Sequence, residues 1–95
     1  MDHSEAVESI ANVAAMPTVF LYRGFRFFFY SNEGSPREPL HIHVEKDGHE
    51  AKFWLKPEIR VAYNEGYSAH TLRELLLIVR LNSNRIERAW HEYFS

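Results

Sequence analysis

His41-Ile42-His43-Val44-Glu45-Lys46-Asp47-Gly48-His49-Glu50-Ala51-Lys52-Phe53-Trp54-Leu55 is the stretch that decides the fold. Two runs of alternating residues flank Asp47-Gly48, a dipeptide suited to a type I′ turn because both central positions need positive φ. The turn sets the register: Lys46 opposes His49, Glu45 opposes Glu50, Val44 opposes Ala51, His43 opposes Lys52 and His41 opposes Trp54. Side chains alternate across a strand, so Ile42, Val44, Ala51, Phe53 and Leu55 share one face, assigned to the core. His41, His43, Glu45, Glu50, Lys52 and Trp54 share the other, expected as a solvated polar face. There Lys52 lies over His43 and Trp54 covers His41; the like-charge pair Glu45–Glu50 is expected to be dissolved in water beside the turn, with Lys52, diagonal to Glu45, or a bound cation or basic partner as the alternative relief.

Upstream, Thr18–Tyr22 and Phe25–Tyr30 are rich in aromatic and β-branched residues and flank Arg23-Gly24. In this hairpin Tyr22 faces Phe25 and Phe20 faces Phe27. Both its faces are largely apolar, so it is expected at the centre of the sheet and covered on both sides. Ser31–Pro39, with Gly34, Pro36 and Pro39, reads as a loop of the kind that carries function. Downstream, Pro57 breaks the run and Ile59–Tyr63 reads as a fifth, edge strand. Asn64-Glu65-Gly66 is a turn. Beyond it Leu72, Leu76, Val79, Ser83, Ile86, Trp90 and Tyr93 step by four and three, widened by Leu75 and Ala89. Ser68 or Thr71 is the N-cap, with Thr71–Glu74 spaced as a capping box. Asn82-Ser83-Asn84 is the weak point that divides one long helix from two shorter ones. The expected fold is α+β: one domain, a mostly antiparallel sheet of about five strands with the C-terminal helix or helices on one face.

Composition excludes several classes. The chain has 95 residues, no cysteine and a formal charge of −2. That leaves one core, no disulfide framework or disulfide-linked partner, and no thiolate chemistry. No apolar run approaches the ~20 residues of a membrane helix, and the N-terminus lacks the layout of a signal peptide, so a cytoplasmic location and no membrane partner are expected. Residues 1–16 contain Asp2, Glu5 and Glu8 and no Lys or Arg; they carry −3, and the rest of the chain +1. Residues 1–15 are read as an appendage, flexible or a short helix, and 16–95 as the domain, divided at Met16-Pro17.

Met16-Pro17-Thr18-Val19-Phe20, Arg26-Phe27-Phe28-Phe29-Tyr30-Ser31-Asn32-Glu33, Pro39-Leu40-His41-Ile42-His43-Val44 and Ala51-Lys52-Phe53-Trp54-Leu55 resemble the prokaryotic domain of unknown function 4160 family. Asn64-Glu65-Gly66-Tyr67-Ser68 and Ala89-Trp90-His91-Glu92-Tyr93-Phe94 match its ending, so the resemblance spans residues 16–94. Thr71 departs from the pattern, where members usually carry an acidic residue. The resemblance brings no established activity. It implies a small partner protein encoded nearby, because members tend to sit beside another small family, domain of unknown function 2442, as in a toxin–antitoxin pair.

Three functions suit these residues. The first, which asks least of them, is a protein-interaction component of such a pair, binding through the polar hairpin face and the 31–39 loop with Asn32, Glu33, Glu45 and Trp54. The second is a metal-independent ribonuclease toxin: His41 or His43 moves protons, Lys52 and Arg26 stabilise a phosphorane-like charge, and aromatic rings stack on RNA bases. The third is a metal-binding module through His41 and His43. Glu45 stands about 13 Å along the strand from His41, so a third ligand would have to come from Glu33 or His70. No motif calls for a cofactor, and none is expected.

Overall fold

The structure, a computed structural model, describes residues 17–31 and 37–94. Five strands, β1 (Thr18–Tyr22), β2 (Phe25–Phe28), β3 (His41–Lys46), β4 (His49–Trp54) and β5 (Arg60–Glu65), precede two helices, α1 (Ala69–Leu81) and α2 (Ser83–Phe94). The strands form one antiparallel sheet in the order β1-β2-β3-β4-β5, so each pairs only with its neighbours in sequence. The appendage read at residues 1–15 lies outside the described residues.

The β3–β4 register is the one the turn dictates, from His41 opposite Trp54 to Lys46 opposite His49. Asp47 and Gly48 both take positive φ, 53° and 82°. Arg23 and Gly24 do the same at the first hairpin, whose pairs include Phe20 with Phe27 and Tyr22 with Phe25. That hairpin is not central. β1 is an edge strand, and Leu21 is 69% exposed. β2 is the covered member, with Phe27 and Phe28 buried on opposite faces because adjacent residues alternate. β5 forms the other edge, as Pro57 implies, but runs on through Asn64 and Glu65.

The helices lie on the Ile42 face. Leu75, Val79, Ile86 and Trp90 are buried there with Phe20, Phe27, Phe29, Ile42, Val44, Ala51 and Phe53. Leu75, not Leu72 or Leu76, is the fully buried residue of the first helical turns. The N-cap is Ser68, whose side chain accepts from the Thr71 amide at 3.1 Å. Thr71 is helical and opens no capping box. Glu74 turns instead to Tyr22, whose hydroxyl donates to it at 2.8 Å. Asn82 explains the division into two helices. Its side chain donates to the Ile78 carbonyl at 2.8 Å, closing α1, while its own carbonyl accepts from the Ile86 amide at 2.9 Å, opening α2.

Gly66 joins sheet to helix at φ 113°. A Cβ placed on it would lie 2.1 Å from His49 Nδ1, and the His49 ring also packs against Tyr67, with centroids 5.7 Å apart. Gly66→Ala is expected to lower stability by about 1–3 kcal/mol in urea denaturation. Combining it with His49→Ala separates the two causes: the clash disappears, and the backbone strain stays.

Candidate functional site

Antiparallel pairing carries the polar face of the hairpin across all five strands in cross-strand rows. One row runs Leu21, Arg26, Glu45, Glu50, Glu65; the next contains Phe28, His43, Lys52, Tyr63; a third contains His41, Trp54, Arg60. Sheet geometry thus brings the four residues read as catalytic, His41, His43, Lys52 and Arg26, to one face. Glu45 and Trp54 join them. Asn32 and Glu33 lie outside the described residues.

The face is not the solvated surface its polarity suggests. His41 and His43 are buried, at 0% and 3% exposure, and Phe28 is fully buried beside them. Rings account for part of this cover. His43 meets Phe28, Tyr30 and Tyr63 at centroid distances of 5.5, 4.6 and 6.3 Å. His41 meets Trp54 at 5.5 Å, His43 at 5.2 Å, and Trp90 of α2 at 5.1 Å. Such edge-on packing contributes about 0.5–1.5 kcal/mol per aromatic pair beyond burial alone.

Hydrogen bonds fix how the imidazoles sit. His41 Nδ1 lies 2.8 Å from the Pro39 carbonyl. A carbonyl only accepts, so Nδ1 carries a proton. His43 Nδ1 lies 3.3 Å from Glu50 Oε2 and 3.4 Å from the Tyr63 hydroxyl. Glu50 is the hub of the face. Tyr30 donates to its Oε1 at 2.8 Å and Tyr63 to its Oε2. Donors to the charged form compensate a partly buried carboxylate for lost water.

The like-charge row is therefore relieved differently from the expected way. Arg26 holds Glu45 through Nε at 3.2 Å and Nη2 at 3.1 Å, and its guanidinium lies 4.0 Å from the centre of the Phe28 ring. Two tyrosine hydroxyls hold Glu50, beside the His43 ring. Lys52 turns away from Glu45 and from His43: its ammonium pairs with Glu38 at 2.8 Å and sits over the Trp54 ring at 4.3 Å. Glu38, Glu50 and Tyr63 are thus site residues outside the candidate set drawn from the sequence, and Tyr30, one of the rings expected to stack on RNA, donates to Glu50 instead. The repulsion between Glu45 and Glu50 was the legible signal that donors must gather there. The register that brings Tyr63 opposite Lys52 depends on an irregularity in β4–β5 pairing between Lys52 and Phe53, which no composition rule gives.

Among the described residues no group of three His, Asp or Glu side chains is placed to hold a metal ion. His70 is exposed at the start of α1 and forms no part of the His41–His43 cluster. No helix among the described residues is long and apolar enough to cross a membrane.

An open antiparallel sheet, backed by two helices on one face and bearing a buried imidazole–aromatic layer on the other, is the class of domain these features define. A family model described as "Domain of unknown function (DUF4160)" matches residues 24–91, and the chain belongs to that family. No curated protein and no solved structure matches the chain.

Burial and the bond to Glu50 raise the Tyr63 phenol well above its ordinary value of 10.0. Burial pushes Tyr67 up to about 12, and a bond to Glu74 raises Tyr22. Each folded value stands above the unfolded one. The stabilisation is therefore complete below pH 10 and is lost as pH rises through the folded values. Phenolate absorbance is expected to show late-titrating tyrosines, one of which disappears in Tyr63→Phe. The same substitution withdraws a donor from a charged acceptor and is expected to cost about 1 kcal/mol at neutral pH, given the partial exposure of Tyr63.

Proposed function

We propose that this protein is the protein-binding component of a two-gene, toxin–antitoxin-like or regulatory pair in the cytoplasm, and that its contact surface is the rim of the polar sheet face. The observation that carries the reading is the commitment of the face's charges. Arg26 and Lys52, the cations a ribonuclease would direct at a phosphorane, are each held by a carboxylate. The rows and their immediate partners place three cations, Arg26, Lys52 and Arg60, against four carboxylates, Glu38, Glu45, Glu50 and Glu65. A surface with that balance repels a phosphate backbone, whereas RNA binding draws on free positive charge.

Protein contact needs something else: rigid aromatic anchors surrounded by paired polar groups. Trp54 is half-buried and Tyr63 is 36% exposed. Both are held by neighbours, so little side-chain freedom is lost when a partner docks. The ion pairs at Glu45 and Lys52 supply a rim that sets orientation more than affinity.

The test uses Glu45→Lys, which reverses an exposed rim charge and breaks the Arg26 pair without touching the histidines. Co-expressed with the product of the adjacent gene, the wild-type chain is expected to co-purify with it, and the variant to bind about tenfold more weakly while keeping its melting temperature within a few degrees. Growth and total RNA are followed in parallel on expression of the chain alone. Intact RNA fits the binding reading. Cleaved RNA, restored by His43→Gln in a folded variant, would replace it with the ribonuclease.

A further inference from the structure

The two edges of the sheet are unequally guarded. Edge strands expose unpaired backbone groups, and charged residues are the common protection against unwanted pairing. β5 has that protection in Arg60 and Glu65. β1, Thr-Val-Phe-Leu-Tyr, has no charged residue, and its Leu21 is largely exposed.

At the Thr18 end of this edge, which pairs with no further strand among the described residues, lies a cleft of about 510 Å³ between β1 and α2. Its walls include Val19, Phe29, Arg85, Arg88, Glu92 and Tyr93. Arg85 stacks over Phe20, 4.8 Å from the ring centre. Neither Arg85 nor Arg88 forms an ion pair with a described residue, in contrast to Arg23, Arg26, Lys52 and Lys56. Two guanidinium groups that form no ion pair among the described residues, against a single lining carboxylate, Glu92, leave the cleft positive beside an apolar floor.

We propose that the outer edge of β1 and this cleft together accept an extended acidic segment of a partner protein, added to the sheet as a further strand, with carboxylates of that segment facing Arg85 and Arg88. Strand addition draws affinity from backbone hydrogen bonds and selectivity from pockets for alternate side chains. Here the edge offers the first, and the apolar, positively charged cleft the second. The charge selects the occupant, because an extended acidic peptide meets the arginines and a basic one meets like charge. This surface goes beyond the preceding proposal, since it uses the backbone edge of β1 and the helix-side cleft, whereas that one rests on Glu45, Trp54 and Tyr63 of the polar face.

The experiment uses the full chain and two short peptides, one alternating valine with glutamate and one alternating valine with lysine. Binding is followed by fluorescence anisotropy, and its location by amide hydrogen exchange. The glutamate peptide is expected to bind about tenfold more tightly than the lysine peptide and to slow exchange in Thr18–Tyr22. R85Q/R88Q, which removes both charges while leaving a polar, partly aliphatic side chain near Phe20, should remove most of that preference. Equal binding of the two peptides, or protection confined to β5, would overturn the proposal. So would preferential binding of a single-stranded RNA at the same arginines, or concentration-dependent self-association that occupies β1. The wild-type comparison of the two peptides decides the matter even if the double variant does not fold. Failure here leaves the polar-face reading standing, because that one is decided by Glu45→Lys.

Discussion

The register of the β3–β4 hairpin is the constraint on which the rest of the molecule depends. Because side chains alternate with a period of two, sliding β3 by one residue would send His41 and His43 into the helix-covered core and expel Ile42 and Val44. Either change alone is expensive, since imidazoles without partners and bare aliphatic surface are both unfavourable. Asp47 and Gly48 prevent the slip locally through positive φ at both central positions. The two cross-strand faces then prevent it globally. All four of Ile42, Val44, His41 and His43 are buried, so β3 is enclosed on both sides.

From that strand outward the polar face becomes intelligible as an electrostatic problem solved by neighbours. Three carboxylates stand in one cross-strand row, Glu45, Glu50 and Glu65. Two of them find relief in what their strand neighbours can deliver, a guanidinium from β2 for Glu45 and hydroxyls from Tyr30 and Tyr63 for Glu50, while Glu65 is exposed at the edge. Arg26 is useful twice, since its planar group pairs with Glu45 and covers the Phe28 ring. The same geometry that makes the row unfavourable in isolation makes it an organiser of side chains from three strands and the segment after β2.

The strands, their antiparallel pairing and the registers of the two hairpins were legible because turn chemistry and alternation act over a few residues. So was the helical break, since Asn82 satisfies backbone groups on both sides of itself. The placement of the first hairpin was misread for a specific reason. An apolar composition on both faces says that much will be buried, and here β2 meets that demand on its two faces while β1 stays at the edge with Leu21 in water. Ser68 was one of the two caps expected, but the capping box was misread because Glu74 fits both such a box and a bond to Tyr22, and the second depends on a contact across 52 residues. The site was half legible. Residues that share a strand face were found together. Those that arrive from other strands, Tyr30 and Tyr63, or from beside the hairpin, Glu38, depend on inter-strand register and loop path, which a single sequence does not encode in any short pattern.

The order of strands in space, identical to their order in the chain, bears on how the protein is made. A ribosome releases each strand next to the partner it needs, so the sheet can assemble during synthesis without waiting for a distant segment. The helices cannot do so. Residues 69–94 follow all five strands, and at about 5–20 residues per second they take roughly 1–5 s to synthesise. Through that interval Phe27, Ile42, Val44 and Phe53 lack the helical cover they have in the finished molecule, on a sheet whose β1 edge is still unguarded. The nascent chain, more than the mature fold, is the form in which this protein is most exposed to misassociation.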